Sequence, residues 1–241
     1  MTGMLASVTS VQEAKIMLNY DVDIIDIKDP SSGALGAQPF EQVRSIVESV
    51  KHKRLTSATI GDIQSNHENL YELIVRMSET GVDYVKVGLF SKQVEQHFLH
   101  SIKKAVSKGI AVVIVLFAED YQEEKSLMPF LDIGLQGVMI DTRLKNGISL
   151  CDLLSNATIH NFICKAQSSN LLAGLAGSLK QENIPELLNY RADYLGFRGA
   201  LCEANQRVKA ISKPAVENIC AQVKTSTVDQ LTGRKNLIQA I

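Results

Sequence analysis

The sequence predicts a single (β/α)8 barrel, and three observations carry that prediction. Eight short, β-branched apolar runs recur along the 241 residues. Each is followed by a stretch with helical periodicity, the alternation expected of a parallel sheet wrapped by helices. The runs lie about 20–35 residues apart, which is room for one strand, one crossover helix and two loops rather than a hairpin. A right-handed eightfold repeat of this kind closes on itself, and the chain length agrees with the roughly 250 residues of such a barrel. With 45% hydrophobic residues, the chain can bury one large core.

Taken in order, the strands are expected at MLASV (4–8), DIIDIK (23–28), LTSATIG (55–61), YVKVGLF (84–90), IAVVIVLFA (110–118), GVMIDT (137–142), LLAGLAG (171–177) and YLGFRG (194–199). Helical periodicity covers 10–19, 39–50, 68–80, 92–108, 150–169, 183–189 and 214–224, and PFEQVRSIVESV places a proline near a helix start. The fifth crossover, around 122–133, is short. A weak repeat runs through NYDVDIIDIK, ETGVDYVKVG, DIGLQGVMID and NYRADYLGFRG, each a helix end, a turn residue and a strand. An open doubly wound sheet is the alternative, and the lack of a glycine-rich dinucleotide fingerprint after the first strand counts against it. The barrel is expected to occupy 1–224, with 225–241 a C-terminal extension forming a short helix or tail.

Lysine and arginine number 25 against 26 for aspartate and glutamate, a net charge of −1. No global field therefore recruits nucleic acid or an anionic membrane, and an anionic substrate must be held by local charges. The N-terminal MTGMLASVTSVQEAK has no basic segment ahead of a long apolar run, and no window approaches a membrane span, so a cytoplasmic protein is expected. Cys151, Cys164, Cys202 and Cys220 are widely spaced without a CxxC, which fits reduced structural thiols. The histidines at 52, 67, 97, 100 and 160 have no metal-ligand spacing, so neither a catalytic metal nor another cofactor is expected.

Barrel enzymes build their sites from the C-terminal ends of strands. Alternation along DIIDIK puts Ile25 and Ile27 on the helix-facing side and Asp26 and Lys28 inside. Along YVKVGLF it puts Tyr84, Lys86 and Gly88 inside, so a second lysine points toward the first. Asp141 ends strand six, and Lys145 follows in its loop. Three lysines and two aspartates thus converge. Clustered ammonium groups repel and burial disfavours charge, so at least one lysine should lose its proton easily enough to attack a carbonyl. The carboxylates and the remaining lysines would then move protons or bind phosphate. The opposing reading makes each Lys–Asp set a structural ion pair at the rim.

The last two strands end in LAGLAGSLK and LGFRGALC, where barrels commonly bind phosphate. Gly177, Ser178, Gly199 and Ala200 offer backbone N–H groups, Ser178 a hydroxyl and Arg198 a guanidinium fork. Turn chemistry accounts equally for the glycines, and pairing with a rim carboxylate for Arg198. The loop DPSSGALGA (29–37) could act as a lid or a second anion site, and TIGD brings Asp62 to the same rim.

In their order and detail, SVTSVQEAK, DVDIIDIKDPSSGALGA, SATIGD, DYVKVGLF, MIDTRLKNG, LAGLAGSLK and YLGFRGALC resemble the (5-formylfuran-3-yl)methyl phosphate synthase family of methanofuran-type cofactor biosynthesis, over about residues 4–220. The resemblance implies a Schiff-base lyase that condenses two molecules of glyceraldehyde 3-phosphate with loss of phosphate and water. It implies Lys28 as the imine-forming lysine, Lys86 as a proton-transferring one, and Asp26, Asp141 and Lys145 as further active-site residues. It also implies a setting in methylotroph or methanogen one-carbon metabolism; a homo-oligomer is expected. A short region around 119–135 and a longer tail after 224 depart from the archaeal pattern. Rival readings are another class I aldolase on a triose or sugar phosphate, and a non-catalytic barrel that binds a sugar phosphate.

Overall fold

The computed structural model describes residues 1–224, and the expected extension 225–241 lies outside them. Eight parallel strands hydrogen-bond in chain order, and β1 (Gly3–Val8) pairs with β8 (Tyr194–Phe197) to close the barrel. Between them come β2 (Ile24–Ile27), β3 (Leu55–Thr59), β4 (Tyr84–Gly88), β5 (Val112–Phe117), β6 (Gly137–Asp141) and β7 (Leu172–Leu175). Seven of the expected runs contain one of these strands, each trimmed by a residue or more at one or both ends, while β1 begins one residue before the run expected at 4–8.

The crossovers are α1 (Val11–Met17), α2 (Phe40–Val50), α3 (Leu70–Ser78), α4 (Gln96–Ser107), α5 (Glu124–Leu127), the pair α6 (Leu150–Leu153) and α7 (Asn156–Ser168), and α8 (Ile184–Asn189). A last helix, α9, covers 213–224. The fifth crossover is short, as expected: α5 has four residues and a single 3-10 turn extends it. The helical stretch read as 150–169 divides into α6 and α7. Ser155 stands at the break and caps α7 by accepting the N–H of Thr158.

Strand periodicity of two sorts the buried side chains into layers. Ile25, Ile27, Val85, Val87, Ile114, Val138, Ile140 and Leu195 point outward and pack with Met17, Ile46, Ile74, Phe98 and Phe162 from the helices. Leu5, Ile24, Val113, Val115, Met139 and Tyr194 point inward and fill the barrel's lower half. Gly174 makes room there: a Cβ on it would sit 2.3 Å from the ring of Tyr194.

The weak repeat has a physical purpose. The aspartate just ahead of β2, β4 and β8 reaches sideways to the first free N–H of the preceding strand. Asp23 accepts from Met4 N at 2.6 Å, Asp83 from Thr56 N at 2.7 Å and Asp193 from Ala173 N at 2.7 Å. Each clip pins an even strand to its odd neighbour where the sheet ladder begins. In the fourth copy, ahead of β6, Gln136 stands in the aspartate's place, and its backbone carbonyl accepts Leu172 N at the start of the following strand, as the Asp193 carbonyl accepts Gly3 N.

Asp83 also accepts the hydroxyl of Thr56, at 2.8 Å. Asp83→Ala would leave both Thr56 groups without their partner, a loss of about 1–3 kcal/mol for half-buried donors. Urea unfolding should show that destabilisation, with a smaller one for Asp83→Asn.

Candidate active site at the C-terminal mouth

Asp26 lies directly opposite Ser7 on β1 and Ser57 on β3 in the strand register. Both hydroxyls donate to it, at 2.9 and 2.7 Å, and Lys86 Nζ from β4 stands 2.5 Å from its Oδ1. The carboxylate is fully buried. Burial alone would raise its pKa, but Lys86 and Lys28, with the hydrogen bonds, pull it below the usual carboxylate range. Asp26 is therefore an anion locked in place on four strands.

At the end of β6 Asp141 forms the second pair. Lys145 Nζ donates to Asp141 Oδ1 at 2.7 Å and to the carbonyl of Thr142 at 2.5 Å, and Thr142 N donates to the same carboxylate oxygen at 2.7 Å. Burial works against the charge here too, yet Lys145 and Lys28 hold Asp141 down at about 2. Glu119, at the end of β5, fixes the loop that carries Lys145 by accepting the N–H groups of Arg143 and Leu144, each at 2.8 Å.

Lys28 extends β2 by one residue and is buried. Its Nζ makes no hydrogen bond or ion pair with another side chain among the described residues. Burial lowers its pKa, Asp141 and Asp26 partly restore it, and Lys145 and Lys86 push it down again, leaving it at about 8. Three amines thus face two carboxylates. Lys86 and Lys145 each hold one, so Lys28 is the odd charge, and the cluster is neutral when Lys28 is a free amine.

These five residues line one cavity of about 380 Å³, within the ~300–1,000 Å³ that small-molecule sites occupy. Gly177, Ser178, Gly199 and Ala200 line it as well. None of their backbone N–H groups donates to a protein acceptor among the described residues. Gly177 adopts φ 105°, and a Cβ there would come 2.7 Å from Thr142 N, so the left-handed backbone and the close approach of the β7 loop to the end of β6 both require glycine. Ser178 follows, also left-handed at φ 49°.

Arg198 lines the cavity, and every N–H of its guanidinium is engaged by the protein. Nε donates to the carbonyl of Arg207, Nη1 to Ser7 O and Glu13, and Nη2 to Glu13 and Lys209 O. The expected fork for phosphate is instead an ion pair with a rim carboxylate, which satisfies a buried charge and holds the loop after β8.

The loop 29–37 is braced rather than loose. Asp62 accepts the N–H groups of Ala34 and Leu35, at 2.8 and 2.7 Å, and Thr59 donates to Leu35 O. Ala34 and Leu35 are buried, and Leu35 joins Phe90 and Phe117, whose rings lie 4.8 Å apart, in a plug over the β3–β5 side of the mouth. Arg143 lies over Phe117, 5.0 Å from its centroid, and pairs with Asp120. The opening is thereby confined to the β6–β8, β1 and β2 side, where Lys28 and Lys145 stand and to which Lys86 reaches across from β4.

Sequence reasoning missed Ser7, Ser57, Glu119 and Arg207. The same alternation that selected Lys28 and Lys86 places Ser7 and Ser57 inside, so a signal was present for those two. Glu119 and Arg207 lie in irregular loops, where no period applies.

A closed eight-stranded parallel barrel with an amine-rich pocket at the C-terminal ends of its strands has the architecture of the (β/α)8 enzymes, which build their sites at that end. The chain belongs to the 4-HFC-P synthase family, whose sequence profile matches residues 4–220. A Methylorubrum extorquens protein provisionally named (5-formylfuran-3-yl)methyl phosphate synthase is 38% identical over 209 residues, covering 86% of each chain. The (5-formylfuran-3-yl)methyl phosphate synthase of Methanocaldococcus jannaschii is 33% identical over 215 residues, covering 85% of this chain and 92% of that one. Among solved structures, 3-hexulose-6-phosphate synthase from Salmonella typhimurium superposes with a TM-score of 0.66 at 16% identity, covering 92% of this chain and 98% of the other. Phosphoribosyl anthranilate isomerase from Thermus thermophilus gives 0.66 at 15%, covering 93% and 99%. At such identities the likeness is one of fold. No helix among the described residues is long and apolar enough to cross a membrane.

The state of Lys28 is open to titration. Unfolded, its pKa is that of ordinary lysine, 10.5; folded, it is about 8. Below about pH 8 both states are protonated and the fold bears the full cost of a buried ammonium. Between the two values the unfolded chain binds more protons, so stability rises with pH, by about 3 kcal/mol at most. Lys28→Met should abolish that rise and be more stable than wild type at pH 7 by roughly 1–3 kcal/mol. Urea titrations from pH 6.5 to 10.5 measure both effects.

Proposed function

We propose that this chain condenses two molecules of glyceraldehyde 3-phosphate into (5-formylfuran-3-yl)methyl phosphate, with loss of one phosphate and of water, through an imine on Lys28. The observation that carries the reading is the unpaired Lys28 amine, with a pKa of about 8, in a cavity where the other two lysines each hold a carboxylate. The names of the relatives support the product, and the pocket supports the type of chemistry.

In this reading one triose phosphate isomerises to its ketone. Lys28 Nζ attacks the carbonyl carbon, and the carbinolamine expels water to leave an iminium. The second molecule loses its C2 proton and, through the resulting enediol, its phosphate, leaving the enol of a three-carbon keto-aldehyde. Lys86, hydrogen-bonded to Asp26, and Lys145, hydrogen-bonded to Asp141, are the acid–base pairs that move protons on either side of Lys28. The terminal enol carbon bonds to the iminium carbon, which gives the branched skeleton of the product; the free hydroxyl of the first molecule closes on the ketone, and loss of water and of the Lys28 amine forms the aromatic furan and frees the lysine. The N–H groups of Gly177, Ser178, Gly199 and Ala200, with the Ser178 hydroxyl, hold the phosphate of the imine-bound molecule. The product would feed synthesis of a methanofuran-type one-carbon carrier.

Borohydride reduction of the protein with glyceraldehyde 3-phosphate, followed by peptide mass mapping, should place the adduct on Lys28. Phosphate release and furan absorbance should appear in a parallel unreduced sample. Adduct formation should rise with pH through about 8 and vanish in Lys28→Arg, whose guanidinium stays protonated. An adduct without furan would indicate an aldolase that stops at condensation, and no adduct would leave a binding protein.

A further inference from the structure

We infer that Arg207 binds the phosphoryl group of the second substrate molecule, on the β2 side of the cavity. The inference rests on the proposed condensation and extends it, because joining two triose phosphates puts two phosphate groups in one pocket. Each needs its own donors, since a desolvated dianion without a partner is far costlier than the condensation could offset.

The cations around the cavity are nearly all committed. Lys86 is held by Asp26, Lys145 by Asp141, and Arg198 by Glu13 and three carbonyls. Lys28 acts as a neutral amine. Among the described lining residues, that leaves Lys180 and Arg207. Lys180 stands two residues after Ser178, on the same loop as the first phosphate site, and is exposed to solvent.

Arg207 is different. It is half-buried and comes from the opposite direction, on the loop that follows β8. Its Nη2 donates to Gly33 O in the β2 loop at 2.9 Å, and this is its one hydrogen bond as a side-chain donor among the described residues. Nε, Nη1 and the second Nη2 hydrogen are open, so Nη2 with either Nε or Nη1 still offers an edge for the two parallel bonds by which a guanidinium grips phosphate. Asp141, Asp62 and Asp29 are the carboxylates close enough to act on it, from three sides of the mouth.

The surrounding structure is arranged to hold this arginine. Arg198, buried, donates to the carbonyls of Arg207 at 2.7 Å and Lys209 at 3.3 Å, fixing the backbone on both sides of residue 208. Cys202 and Ile211 pair across the neck of the loop, and Ala204 and Asn205 are held in left-handed conformations at φ 53° and 57°. Two strained non-glycine residues in succession persist only where the rest of the loop over-determines them, a pattern common at ligand clamps. The contact with Gly33 also ties this loop to the one that begins just after Lys28. A second molecule whose phosphate is taken up by Arg207 would arrive beside the iminium on Lys28, with the carbon that carries that phosphate toward it.

Arg207→Gln keeps an amide N–H that can reach Gly33 O and removes the charge. With purified full-length protein, borohydride trapping with glyceraldehyde 3-phosphate should stay close to the wild-type level, because the first molecule is held elsewhere. Furan formation should fall roughly 10- to 100-fold, with half-saturation at higher substrate, as expected for losing a charged pair to a phosphate, and Arg207→Lys should restore part of it. Calorimetric titration with inorganic phosphate should find two sites in wild type and one in Arg207→Gln. The inference is overturned if Arg207→Gln keeps both phosphate sites and the wild-type furan rate, or loses trapping and furan formation together. If wild type forms neither adduct nor furan, the condensation reading fails instead. The phosphate titration then still decides whether Arg207 is an anion site.

Discussion

Within hydrogen-bond distance of Lys86 and of the serines at 7 and 57, Asp26 has all its charge answered by three other strands. The rest of the mouth depends on that contact. A carboxylate buried without partners would take up a proton, and a lysine buried without a carboxylate would lose one. Because Asp26 is fully paired, it gives Lys28 field but no contact. The same holds at β6, where Asp141 is committed to Lys145. The pairing leaves one amine over, and the fold places that amine in the wall of the cavity.

The plug over β3–β5 strengthens this arrangement. Leu35, Phe90 and Phe117 exclude water from one half of the mouth, so the charges beneath interact in a medium less polar than solvent. Low polarity lowers the affinity of Lys28 for its proton. It also obliges Asp26 and Asp141 to keep their partners. Asp62 holds the plug loop from below through two backbone N–H groups, which accounts for an acidic residue at the end of β3 without assigning it any chemistry.

The legibility of the site follows the distinction between regular and irregular backbone. Asp26, Lys28 and Lys86 were readable because the inside and outside of a strand alternate, and parallel pairing around a closed barrel preserves that alternation on every strand. Ser7 and Ser57 obey the same rule and were overlooked only because a serine on a strand attracts less notice than a charge. Arg198 was read as a ligand for phosphate because it stands at the end of the eighth strand, where barrels commonly bind phosphate, with pairing to a rim carboxylate as the alternative. Its guanidinium instead swings to Glu13, 185 residues earlier in the chain, and no local pattern identifies a partner at that distance. Arg207 stands on a loop without a period, so its approach to Gly33 is visible only once both loops are folded.

The sequence by itself determined the barrel, its eight strands in order, the family to which the chain belongs and the inward placement of the central lysines and aspartate. These depend on hydrophobic period, crossover spacing and long, unusual motifs, all of which are properties of neighbouring residues. Only the tertiary structure decided which amine lacks a carboxylate, which arginine is closed on its own scaffold and which remains open to the cavity. Those outcomes depend on how a limited set of charges pair across strands and loops, and that pairing is settled by distance in space rather than by position along the chain.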